Sequence, residues 1–115
     1  MKLENQVVSL PLAQKMKELG FKQESLFWWH GGLQIPYLVQ RQNGSLTISA
    51  YTVAELGEML PDGISTSKNI QGMYEVYDNE TYKPVVMDFV AKAPTEADAR
   101  AKMLIYLKEN NLLTV

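Results

Sequence analysis

General acid–base chemistry in this chain would start at its single histidine, His30, because imidazole is the side chain that titrates nearest neutral pH. To work as an enzyme, His30 would need a carboxylate such as Asp78, Glu80 or Asp88 brought beside it by folding, since no acid or nucleophile is tied to it by spacing. Its plainer role is to close the short aromatic run Leu26-Phe27-Trp28-Trp29-His30 and supply a hydrogen bond at a sheet margin. The aromatic side chains Trp28, Trp29, Tyr74, Tyr77 and Tyr82 could stack on sugars, bases or a protein partner. With His30 they make up the candidate binding set; the competing role is core packing or a subunit contact. Asp78, Asn79 and Glu80 offer oxygen ligands for a hard cation, but their spacing is not that of a twelve-residue calcium loop, and a solvated turn accounts for them. Asp88, between Met87 and Phe89, can face outward in a strand alongside Val86 and Val90.

Familiar hydrolytic and cofactor motifs do not occur. Gly31-Gly32 is followed by Leu33-Gln34, which is no phosphate loop, and there is no dinucleotide fingerprint, nucleophile elbow or H-E-x-x-H pair. One histidine and no cysteine exclude a two-histidine site within one chain, thiolate zinc sites and cysteine nucleophiles. No catalytic residue, metal site or cofactor is assigned on these grounds. The 11 Lys and Arg are scattered among 13 acids for a net charge of -2, so a protein devoted to neutralising phosphates is not expected.

With 115 residues, 46% of them hydrophobic and 21% charged, the chain has the composition of one globular domain, spanning 1–115, with a single core. No apolar run approaches the roughly 20 residues of a membrane span. The segment after Met1-Lys2-Leu3-Glu4-Asn5-Gln6 is too short and interrupted for a signal peptide. The expected location is therefore the cytosol.

The elements that must position these residues are marked by caps and periodicity. Ser9 can cap a helix from Leu10 that carries Leu12, Met16 and Leu19 and ends at Gly20, with Phe21 making the accompanying apolar contact. The aromatic run at Leu26 to His30 reads as a strand with Phe27 and Trp29 on one face and Trp28 and His30 on the other. Asn43-Gly44 is the preferred dipeptide of a two-residue hairpin. It would pair Val39 with Ile48 and Tyr37 with Ala50, and put Tyr37, Val39 and Ile48 on one face. Pro36 would mark an edge or strand start.

Thr52-Val53-Ala54-Glu55 is a capping box before a helix running to about Leu60, with Tyr51 poised to staple onto Leu56 and Pro61-Asp62-Gly63 as the stop. Strands are expected at Ile64 to Lys68, Met73 to Tyr77 and Val85 to Ala91. The last helix is capped by Thr95, with Asp98 returning the bond, and supported by Glu96–Arg100 and Asp98–Lys102 pairs. Its broad apolar face is Ala97, Ala101, Leu104, Ile105 and Leu107, with Met103 and Tyr106 outside it, and Asn110-Asn111 closes it. The sum is an α+β domain: an antiparallel sheet of four to six strands packed with three helices.

Three stretches, Glu24 to Trp29, Thr52 to Pro61 and Thr95 to Leu107, carry a resemblance that covers most of the chain. It resembles a group of small proteins encoded by bacteriophages and prophages, especially those of gut bacteria. The resemblance implies the cytoplasm of a bacterial host and a fold similar to phage domains with helices on both faces of an antiparallel sheet. No activity or functional residue comes with it. The function expected is a non-catalytic accessory role through protein–protein contact, including self-association. The alternative is a small-ligand or nucleotide-binding module, or an enzyme pairing His30 with a carboxylate. Nucleic-acid binding would show as salt-sensitive retention on DNA or RNA.

Overall fold

The computed structural model describes residues 2–30, 37–40, 47–78 and 90–113. The Asn43-Gly44 turn, Pro36, Gly31-Gly32 and the segment 79–89, with Tyr82, Glu80 and Asp88, lie outside the described residues. After a 3-10 turn at Leu3–Asn5 come α1 (Leu10–Glu18), β1 (Trp28–His30), β2 (Tyr37–Val39), β3 (Thr47–Ser49) and α2 (Val53–Met59). β4 (Ile64–Lys68), β5 (Tyr74–Asp78), β6 (Val90–Ala93) and α3 (Glu96–Glu109) complete the order. The class is α+β with three helices and antiparallel strands. The strands are divided into two three-stranded sheets, β2-β1-β3 and β4-β5-β6.

Helix ends follow their sequence signals. At the end of α1, Phe21 N–H donates to Met16 O and Gly20 N–H to Lys17 O, with Gly20 at φ 91: the double bond of a Schellman cap, which needs a left-handed residue. α3 closes the same way, Leu112 N–H to Leu107 O and Asn111 N–H to Lys108 O, with Asn111 at φ 58. The capping box of α2 is complete, with Glu55 N–H on Thr52 Oγ1 (3.2 Å) and Thr52 N–H on Glu55 Oε1 (2.9 Å). The carboxylate's other oxygen accepts from Leu26 N–H at 3.1 Å, so one cap also ties down the approach to β1.

Two caps depart from expectation for a common reason. Thr95 Oγ1 accepts from Asp98 N–H (3.2 Å), but the Asp98 carboxylate does not return the bond. Its Oδ1 accepts from Ser9 N–H at 2.7 Å, and Ser9 makes no side-chain cap. Either bond would be charge-assisted; the one to Ser9 also ties the start of α1 to α3. Lys102, in turn, donates to Lys92 O (2.8 Å), whereas the Glu96–Arg100 pair forms as expected at 2.8 Å.

The expected β2–β3 hairpin pairing is not made. β1 lies between them, with Trp28 opposite both Val39 and Ser49 and Trp29 opposite both Leu38 and Ile48. A central position gives each tryptophan neighbours on both sides and buries more of its surface than an edge could. The Asn43-Gly44 signal concerned only the local turn and carried no weight against that gain. Opposed residues share a face, so Ile48 faces with Trp29 and Leu38, while Tyr37 and Val39 face with Trp28, His30, Thr47 and Ser49. Trp29 and Ile48 pack against the helical core.

α3 is the layer covered on both sides. Ala97, Ala101, Leu104 and Ile105 join Met16, Phe21, Tyr51 and Leu56 in one core cluster with α1, α2 and the first sheet. Ala99, Met103 and Leu107 join Val76, Ala91 and Ala93 of the second sheet in the other. Met103, placed outside the apolar face by periodicity, is fully buried: with apolar partners on two sides the helix has no single stripe. Residues 6–8 are clamped along α2's entry by Val8 N–H to Tyr51 O and Val53 N–H to Gln6 O. Among the described residues no helix is long and apolar enough to cross a membrane.

Tyr51 carries a pH dependence. It is 2% exposed, donates its hydroxyl to Lys22 O, and its phenol is pushed up to about 12, mainly by burial, with Glu55 and Glu24 adding repulsion. The unfolded chain releases this proton near pH 10 while the folded chain keeps it, so the unfolded state binds fewer protons in that window. Stability is therefore whole below about pH 10 and falls as pH rises from there towards 12, by roughly 1.4 kcal/mol per pH unit. Urea titrations of wild type and Tyr51→Phe from pH 9 upward check this: the fall should be much shallower in the variant.

Candidate functional site

Those of the residues singled out by sequence that are described are not gathered in one place. Trp28 is buried, and Trp29 is half-buried with its indole N–H on Val8 O at 2.8 Å, so the tryptophans serve the core. His30 stacks on Tyr37 with ring centroids 5.1 Å apart. Among the described residues its buried Nδ1 has no hydrogen-bond partner; the side chains of the candidate acids Asp78, Glu80 and Asp88 lie outside them. Asp78 belongs to the other sheet.

Tyr74 and Tyr77 sit on opposite faces of β5. Tyr74 packs against the Val76 and Met103 cluster, with Lys68 Nζ 5.5 Å from its ring centroid. Tyr77 shares the other face with its partners Ser65 and Val90. Tyr82 lies outside the described residues. Among those described there is no group of three or more His, Asp or Glu able to hold a metal ion.

The structure does show a cleft that sequence reasoning missed except for Tyr74. It encloses about 790 Å³ and is walled by Gln6 from the N-terminal turn, Thr52 and Ala54 at the start of α2, Lys68, Gly72 and Tyr74 from the β4–β5 hairpin, and Thr95 and Glu96 at the start of α3. An extended cap residue precedes each helix, Thr52 and Thr95, and both line the cleft. Arg100 ties α2, β4 and α3 to one another: Nη1 donates to Val53 O (2.8 Å), Nε to Thr66 Oγ1 (3.3 Å) and Nη2 pairs with Glu96. These walls come from four separate segments, so no spacing in the sequence could have announced them.

Beside the cleft stands the tip of the β4–β5 hairpin. Asn69 organises it: its N–H donates to Met73 O, its carbonyl accepts from Gly72 N–H, and its Oδ1 accepts from Gln71 N–H (2.9 Å) and Met73 N–H (3.0 Å). Asn69 Nδ2 reaches Glu75 Oε2 at 3.3 Å, and Gly72 takes φ 84, a value that favours glycine. At the apex of this tied loop Ile70 is 105% exposed. An isolated β-branched aliphatic between Asn69 and Gln71-Gly72 was the available sequence signal for it. Compared with family models, curated proteins and solved structures, the chain matches none.

Proposed function

We propose that the chain is a non-catalytic binding module for a protein partner, and that it meets the partner through the Ile70 tip and the adjoining cleft. The observation that carries this reading is the full exposure of Ile70 on a loop whose backbone is satisfied by Asn69. An apolar side chain held in water on an ordered loop loses little conformational entropy on docking, as an interface anchor should. The resemblance to small phage and prophage proteins is the ground for placing this role in a bacterial host cell, and it carries no activity of its own. His30 lies on the first sheet and is not among the residues that line the cleft, so the binding surface proposed here does not draw on it.

In-cell photocrosslinking tests the proposal. With a photoreactive phenylalanine derivative at Gln71, beside Ile70, discrete protein adducts are expected, self-adducts included, and they should disappear on Ile70→Asp. The same probe at Lys17, exposed on α1, should give none of them. A tip that yields no adduct beyond the Lys17 control would refute the reading.

A further inference from the structure

Ile70 lies two residues from both Lys68 and Gly72, and those two residues line the cleft. The knob therefore stands on the rim of its own hole. It does not fold inward, because the Asn69 bonds and the left-handed Gly72 hold the loop with Ile70 in solvent. Resting on the protein-binding reading above, we infer that the partner is a second copy of this chain, with each tip seated in the other's cleft.

A knob beside its own hole favours a two-fold arrangement. Two copies related by an axis near the shared rim exchange tips at once, and the contact closes at two without leaving a free knob or hole. A knob used head to tail would instead build a ring where the rotation closes, or an open filament where it does not. The cleft is several times larger than one isoleucine side chain, so it would receive the turn, Ile70 with Gln71, and not a single side chain.

The charges on the walls fit the same symmetry. Lys68 and Glu96 both line the cleft, Lys68 has no acidic partner among the described residues, and Glu96 is held by Arg100. Since each copy brings to the cleft a cation that has no acidic partner among the described residues and an acid held in place, a two-fold contact can oppose Lys68 to Glu96 of the other copy twice, whereas a single-sign wall would repel itself. Tyr74 adds a ring to the cleft beneath Lys68, a surface suited to an aliphatic side chain.

Sedimentation equilibrium on the full chain over a wide concentration range tests this, with circular dichroism as the fold control. Wild type is expected to dimerise. Ile70→Asp, at a fully exposed position, and Ala54→Trp, which fills the cleft from the exposed start of α2, are each expected to weaken the dimer roughly tenfold or more. Lys68→Glu should weaken it as well, and less so at high salt, where the new repulsion is screened. A chain that stays monomeric up to about 1 mM overturns the self-association inference, as does a dimer indifferent to both Ile70→Asp and Ala54→Trp. A monomer whose tip still crosslinks to a different protein in cells would sink this inference while leaving the binding-module reading in place.

Discussion

Met103→Ala is expected to destabilise the protein as much as Leu104→Ala, about 2–5 kcal/mol each, although the two neighbours pack into different cores of α3. Leu104 is fully buried among Met16, Phe21 and Leu56, and Met103 is fully buried against Val76, Ala91 and Ala93. Each truncation removes buried methylenes and leaves a cavity that close-packed neighbours refill only in part. A domain of this size has on the order of 5–15 kcal/mol in total, so either change should shift the urea midpoint by a large fraction. Equal costs would establish that α3 serves two cores. If Met103→Ala behaved as a surface substitution, within about 0.5 kcal/mol, the second sheet would not be packed on the helix.

That comparison bears on what the sequence could convey. Helix limits were legible because their signals are local: Gly20, the Thr52–Glu55 box, Thr95 and Asn111 each act within one turn of the residues they cap. The α+β class followed from those limits and the strand-like runs between them. What escaped depended on competition between distant groups. Asp98 had a neighbour to cap and chose Ser9 N–H, 89 positions away. β2 and β3 had a turn dipeptide between them and both paired with β1. Met103 broke the helical stripe because a second sheet waited on that side.

The candidate site was still less legible. The aromatic residues that look like binding groups in the sequence divide between core and separate sheet faces, since a large ring is as useful for burial as for recognition. The cleft is made by helix starts and a hairpin tip, whose side chains carry no chemical signature of their own.

Gly57→Ala is expected to destabilise the wild-type protein and to stabilise one that lacks the Arg100 guanidinium. In the middle of α2, alanine should gain up to about 1 kcal/mol over glycine. A Cβ at Gly57, however, would overlap Arg100 Nη1, the group that donates to Val53 O and belongs to the same guanidinium as the bonds to Thr66 and Glu96. The Arg100 side chain is 21% exposed and the Glu96 side chain 31%, so solvent screens the ion pair in part and the hydrogen bonds carry most of the value. Arg100→Met, which keeps the aliphatic stem, should therefore cost roughly 2–3 kcal/mol. Displacing the guanidinium forfeits much of that amount, which exceeds the helix gain and leaves Gly57→Ala a net loss of about 1–2 kcal/mol. In the Arg100→Met background the space is free, only the helix term remains, and the sign reverses. Urea unfolding of the four proteins in a double-mutant cycle measures this: a coupling near zero, or a stabilising Gly57→Ala in the wild type, would mean that Arg100 does not fasten α2 to the second sheet.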